Sequence, residues 1–233
     1  TKAVTVTTAD DGVYEAPETL TVQLSGATGG ASISTPTGTG TINDNDQPPR
    51  FSVSNVSVTE GGYADVVVTK TGSTGINATV TYATSDGTAT TSNYGAATGT
   101  LTFLPGETSK SVSIRTSQNV EFNAPRTFNF TISNPIGASI VTPTGVVTIL
   151  NDDPAPSLST MSAYPLQREG GVIRFSVVLT GNPYYATPIT VNYSTSSGTA
   201  TSGIDFTPVS GTLTFNPPET VKDVSVQTTQ DAD

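Results

Sequence analysis

Six carboxylates crowd three short stretches near the start of this chain: Asp10 and Asp11, then Glu15 and Glu18, then Asp44 and Asp46. All lie within or beside turn-forming residues at the ends of expected strands. Turns favour Asp in any case, because its side chain bonds nearby backbone amides, but that does not require four carboxylates between residues 10 and 18. Brought to one end of a fold, these groups would repel one another unless a cation held them. Six to eight hard oxygens in flexible loops are what Ca²⁺ prefers. Most other site chemistry is excluded: the chain has no cysteine and no histidine, which removes disulfides, thiol chemistry, the usual zinc, haem and iron–sulfur ligands, and triads that need His or Cys. Two carboxylates suffice in principle for glycoside hydrolysis, but these acids gather as one set and no separate acid/base pair stands out, so no enzymatic role is expected.

The elements that must position the acids belong to an internal repeat with a period of about 110 residues. Gly30-Ala31-Ser32-Ile33 with Thr35-Pro36-Thr37-Gly38 returns as Gly137-Ala138-Ser139-Ile140 with Thr142-Pro143-Thr144-Gly145. Gly99-Thr100-Leu101-Thr102-Phe103, with Glu107 and Lys110 behind it, returns as Gly211-Thr212-Leu213-Thr214-Phe215 with Glu219 and Lys222. Only the stretch 50–153 carries both markers. Residues 1–48 therefore read as the later part of one module, 50–153 as a whole module, and 157–233 as the earlier part of another. Within the whole module, apolar residues alternate in short runs near 51–59, 63–70, 77–83, 98–104, 110–117, 126–133 and 144–151. About seven strands in such a span fit an immunoglobulin-like β-sandwich, so the chain is expected to be all-β, a tandem of such sandwiches with essentially no helix. Val112 and Ile114, and their counterparts Val4 and Val6 and Val224 and Val226, are expected to face the inter-sheet core. Gln47-Pro48-Pro49-Arg50 and Pro154-Ala155-Pro156 are too short and proline-rich for floppy tethers, which predicts a semi-rigid rod.

With 9 basic and 19 acidic residues the formal charge is −10, which argues against nucleic acid and anionic membranes, since both are bound by neutralising phosphates. No apolar run is long enough for a spanning helix, so no membrane insertion is expected. The chain opens on Thr1 without a leader-like stretch and reads as a processed or excised segment of an extracellular, secreted or cell-surface protein.

The motifs resemble the Calx-β family, the modules of the calcium-regulated part of sodium–calcium exchangers and of many bacterial surface proteins. The resemblance rests on V-x-E-G-G (Val58 to Gly62), Y-A-T-x-D-G-T-A (Tyr82 to Ala89), G-T-L-T-F-x-P-G-E-T (Gly99 to Thr108) and T-I-x-N-D-D (Thr148 to Asp153). It implies calcium ligands at Asp10, Asp11, Glu15, Glu18, Asp44 and Asp46 in the first module, with Asn45 where the closing triplet is usually acidic. In the last module it implies Glu169, Asp205 and Asp231, with Gln230 in place of an acid. The central module keeps only Glu60, Asp152 and Asp153; Asn93, Gln118, Asn119, Asn123 and Arg126 replace the other acidic positions. That module is expected to bind Ca²⁺ weakly or not at all. Twelve of the 19 acidic residues thus fall at family ligand positions.

The role implied is a non-enzymatic structural or adhesive repeat, stiffened by Ca²⁺ and able to build a rod or filament. A calcium-sensing regulatory module is one alternative. Another is a carbohydrate-binding or accessory portion of a secreted enzyme, for which Tyr184-Tyr185 would offer a stacking surface to a glycan or other surface ligand. The expected partners are neighbouring modules of the same or an identical chain. Two readings of the broken modules stay open: a window cut from a longer array, which the avoidance of long exposed sheet edges favours, or a head-to-tail polymer in which one chain's first segment completes another's last module.

Overall fold

The computed structural model describes residues 1–161 and 168–230, and among these every regular element is a strand. In chain order they are β1 (Val13–Tyr14), β2 (Glu18–Gln23), β3 (Thr37–Ile42), β4 (Arg50–Val53), β5 (Val56–Thr59), β6 (Tyr63–Thr71), β7 (Ser73–Thr74), β8 (Ala78–Asp86) and β9 (Thr98–Phe103). There follow β10 (Ser109–Arg115), β11 (Arg126–Ile136), β12 (Ser139–Thr142), β13 (Thr144–Leu150), β14 (Ser157–Met161), β15 (Val172–Thr180), β16 (Ile189–Ser194), β17 (Ser210–Phe215) and β18 (Val221–Gln227). The chain forms two compact units. One comprises residues 1–117 with 126–149, and the other 118–125 with 150–233.

In the first unit, a sheet in the order β10-β6-β4-β12 faces one in the order β5-β13-β11-β8-β9. The alternation in β11 shows why: Phe128, Phe130 and Ile132 point inward and are at most 1% exposed, while the residues between them face outward, as a period of two requires. Against them from the other sheet lie Phe51, Val66, Val68 and Ile114 in one contiguous core. Phe128 stacks on Tyr94 with ring centroids 3.9 Å apart, and Tyr82 stacks on Phe130 at 5.2 Å. The Tyr94 hydroxyl donates to Asp86 Oδ1 at 2.7 Å. Burial first, and then that carboxylate, push the phenol pKa up to about 12.

The first expected strand of this module, 51–59, is in fact two. β4 pairs with β6, whereas β5 lies beside β13 in the opposite sheet. The chain changes sheets at Ser54-Asn55, where Asn55 Oδ1 accepts the Val146 amide at 2.8 Å. Gly145 lies under this crossing: a Cβ there would run into the Val53 side chain and sit 2.6 Å from the Ser54 carbonyl oxygen. Gly145→Ala is therefore expected to cost about 1–3 kcal/mol through overpacking, read as a lower denaturant midpoint with an unchanged slope. A further strand, β12, was not anticipated. It pairs parallel with β4, a long-range match that alternation within so short a segment does not reveal.

The inward face of β6 ends on Lys70, a buried lysine that the sequence reading passed over. Burial lowers its pKa while the Glu107 charge opposes that shift. Leu179 stands at the matching position of β15 and is also buried, so the site is one of packing. Glu107 itself accepts the Leu104 amide at 2.7 Å and the Lys110 ammonium at 3.0 Å. The repeat copies this turn: Glu219 accepts the Asn216 amide at 2.8 Å and Lys222 at 3.0 Å.

The second unit holds the sheet β14-β15-β18 and the two-stranded sheet β16-β17 around Val177, Leu179, Tyr185, Phe215, Val224 and Val226. Residues 118–125 join it through a bridge from Phe122 to Tyr185. Tyr185 is a core residue whose hydroxyl donates to the Glu219 carbonyl at 2.7 Å, which leaves only Tyr184 of the aromatic pair on the surface.

One expectation about the core fails for a clear reason. Ile114, Val224 and Val226 are buried and Val112 packs against the core, but Val4 and Val6 are 73% and 52% exposed. In the whole module the strand carrying Val112 and Ile114 pairs with β6. Residues 1–12 form no strand and have no such partner among the described residues, so the alternation is present without a sheet to use it.

Candidate metal centre

The six acids of residues 1–48 are gathered by pairing. β2 and β3 form a hairpin in which Glu18 lies opposite Ile42, which carries Asp44 and Asp46 out beyond the same end. β1 pairs parallel with β7 and is held by the Gly75 amide donating to the Tyr14 carbonyl at 2.9 Å. This sets the Glu15 carboxylate against Gly75, where a Cβ would come within 2.6 Å of Oε1. Asp11 Oδ1 accepts the Val13 amide at 2.9 Å, and Asn45 Nδ2 donates to Asp10 Oδ1 at 3.2 Å, linking the two acidic loops.

The electrostatics follow from this gathering. Burial, then the charges of Asp11, Glu18, Asp44 and Asp46, hold the Glu15 carboxyl above its ordinary value. Asp46 is raised by burial and by Asp44, Asp11 and Asp10, against a lowering from the Val13 amide. Glu15, Asp44 and Asp46 are half-buried, whereas Asp10, Asp11 and Glu18 are exposed. No three of the six bring carboxylate oxygens within 4.8 Å of one another. The arrangement is a loose set of hard oxygen donors with mutual repulsion. Its donor chemistry fits a divalent cation of the calcium type and fits no soft metal.

The acids of the central repeat have other surroundings. Glu60 follows β5 and is buried in the first unit. In the second, Asp152 Oδ1 accepts the Gln118 side-chain amide at 3.0 Å, and Asn151 Nδ2 donates to the Asp153 carbonyl at 3.0 Å. One Asp153 carboxylate oxygen is buried without a hydrogen-bond partner among the described residues. Asn119 Oδ1 accepts the Glu121 amide, and Asn123 Nδ2 donates to the Glu121 carbonyl. Asn93 Oδ1 accepts the Thr90 amide at 3.0 Å. Amide groups thus do the work of turn formation at positions where a cation site would present carboxylates.

In the last repeat, Asp205 is half-buried and its Oδ2 accepts the Thr201 amide at 2.6 Å, the counterpart of the Asn93 turn. Glu169 is exposed in the turn before β15. Asp231 lies outside the described residues.

Repeated all-β modules with acids at strand ends define a class of tandem β-sandwich repeat proteins. The chain belongs to the Calx-beta domain family, whose model matches it three times in tandem, over residues 1–47, 44–154 and 157–232. Similar solved structures include the apo-form Calx CBD1 domain, 25% identical over 46% of this chain and 100% of that one, with a TM-score of 0.43. CBD12 from CALX1.2 is 26% identical over 77% of this chain and 75% of its own, with a TM-score of 0.44. The calcium binding domain CBD12 of CALX1.1 is 24% identical over 76% and 74%, with a TM-score of 0.45. The family assignment rests on the sequence match.

Proposed function

We propose that this chain is a calcium-responsive regulatory tandem of an extracellular or cell-surface protein, with modules bounded near 1–48, 50–153 and 157–233. The family's link with calcium regulation supports a sensing role over the purely structural or adhesive one that the rod-like sequence suggests. The observation that carries the reading is the acid set of the first segment, where like charges and burial together raise Glu15 and Asp46. Ca²⁺ would be held there by Asp10, Asp11, Glu15, Glu18, Asp44 and Asp46, and would neutralise the repulsion that otherwise splays the loops. Glu169, Asp205 and Asp231 would belong to a second site. The central repeat, with Asp152 already bonded to Gln118, would act as a spacer with little affinity of its own.

Calorimetric titration with Ca²⁺, with Mg²⁺ as comparison, tests this directly. Saturation in the micromolar range supports a switch, because sensor sites empty over that range, whereas millimolar affinity supports a structural clamp. No binding heat and no change of unfolding temperature between calcium and chelator would overturn the calcium reading altogether. The glycan reading has one exposed residue in its favour, Tyr184, and an array of immobilised glycans would settle it.

A further inference from the structure

We propose that β9 is a lateral contact edge, at which two copies of this chain pair antiparallel about a twofold axis through Thr100. β9 is the outer strand of the sheet β5-β13-β11-β8-β9 and lies well inside the whole repeat. A free edge presents unpaired amides and carbonyls, and proteins guard such edges with charge, proline, irregularity or brevity. The other edges of this module are guarded in those ways. β10 carries Lys110 and Arg115. β5 and β12 have 4 residues each, and the register of β12 slips between Ile140 and Thr142. β9 reads Thr98-Gly99-Thr100-Leu101-Thr102-Phe103, without charge or proline and in unbroken register against β8.

The backbone phase fixes which groups face outward. The Thr84 amide donates to the Ala97 carbonyl at 2.9 Å, and the Ala97 amide donates to Thr84 Oγ1 at 2.9 Å, so both main-chain groups of Ala97 point toward β8. Orientation alternates along an antiparallel strand. Gly99 and Leu101 therefore also point toward β8, while the amides and carbonyls of Thr98, Thr100 and Thr102 point away from it. No described strand receives them. The three threonines are exposed as well. The arrangement belongs to the repeat, since β17 reads Ser210-Gly211-Thr212-Leu213-Thr214-Phe215 in the same phase. There the Thr195 amide donates to the Val209 carbonyl at 2.9 Å, and the Val209 amide donates to Thr195 Oγ1 at 3.0 Å.

This edge is complementary to itself. An axis at Thr100 sets Thr100 opposite Thr100 of the second copy and Thr98 opposite Thr102 of the second copy. Every outward amide then meets an outward carbonyl, as the hydrogen-bonded pairs of an antiparallel ladder require. Threonine faces threonine on the solvent side, a favourable cross-strand pairing, and each Leu101 lies beside a glycine on the other side. The neighbouring registers fail. An axis at Gly99 or Leu101 would oppose groups already turned toward β8. One at Thr102 would call on the Leu104 amide, which is donated to Glu107 Oε2 at 2.7 Å. One at Thr98 would call on Tyr94, which lies outside β9 and is bridged to Thr116. An edge that matches itself in one register specifies a second copy as its occupant, in an isologous contact. The formal charge of −10 on each chain opposes the approach, so the contact tightens as salt screens that repulsion. It uses none of the acid set, so its failure would leave the calcium reading untouched.

Because the chain has no cysteine, single cysteines on β9 read the register. Opposed residues of an antiparallel pair lie within disulfide reach, whereas two Thr98 side chains would stand as far apart as Thr98 and Thr102 on one strand. Under mild oxidation in chelator, Thr100→Cys is expected to give at least ~10-fold more covalent dimer than Thr98→Cys or Thr102→Cys alone, while an equimolar mixture of those two cross-links again. Sedimentation of the unmodified chain should show mass rising with protein concentration and with salt. Thr100→Lys together with Thr212→Lys places like charges at the centre of both edges and should hold the chain monomeric. A concentration-independent monomer, equal cross-linking by all the single variants, or association that survives the two lysines would each overturn the proposal.

Discussion

Replacing Glu15 by Gln and Asp46 by Asn together is expected to weaken Ca²⁺ binding at least ~10–100-fold while making the calcium-free protein more stable at neutral pH. The affinity loss is that of removing charged oxygens from a hard-cation site, where even supporting groups are worth that much. The opposite sign in the calcium-free form comes from the raised carboxyls. A folded-state value above the unfolded one means that folding takes up protons as pH falls through that window. The favourable contribution is complete below the ordinary values, 4.5 for Glu15 and 3.8 for Asp46, and is lost as pH rises through the raised ones. The calcium-free wild type should therefore gain stability relative to the double variant on acidification from neutral pH, and lose that gain when calcium saturates the site. Glu107 and Glu219 work the other way: backbone amides and lysines lower them, so their stabilisation is present above 4.5 and lost below it. Both proteins carry those two residues, and the difference between the unfolding curves isolates the acid set. Thermal unfolding from pH 4 to 8, in calcium and in chelator, checks the whole scheme. Curves that keep a constant separation across this range would sink it.

The second large effect lies in the core of the whole module. Phe128→Ala is expected to destabilise the first unit by about 3–5 kcal/mol, the usual range for emptying a buried aromatic site. Phe128 is fully buried, stacks on Tyr94 at 3.9 Å and pairs across to both β8 and β13. Its loss leaves a void against Tyr94 beneath a strand that hydrogen bonds hold on both edges, so collapse is limited. Since a domain's total stability is only about 5–15 kcal/mol, the calorimetric transition of the first unit should fall by many degrees, with the second unit's transition little moved. Leu104→Ala, at a 52% exposed position, is the reference and should shift stability by less than ~0.5 kcal/mol. Similar shifts for the two variants would mean that the β11 face is not the core described here.

Much of this architecture was legible because β-sandwiches write their inward faces locally. The alternation at Val112 and Ile114, the repeated G-T-L-T-F run and the paired Glu-Thr-x-Lys turns each follow from residues close in sequence, and the structure places them in equivalent surroundings in both copies. The acid-rich stretches stand out for a similar reason, since carboxylates are conspicuous in a chain with only 12% charged residues.

The chain alone determined the all-β class, the repeat and the types of residue available for chemistry, because period, turn residues and side-chain chemistry are properties of short stretches. Only the tertiary structure decided which strand meets which. The switch of sheets at Ser54, the parallel β12, the burial of Lys70 and the coupling of Glu15 to Asp44 and Asp46 all depend on partners tens of residues away. Val4 and Val6 make the same point in reverse. Their pattern marks them as core residues, yet they stay exposed, because burial needs an opposing surface and alternation supplies only one side of it.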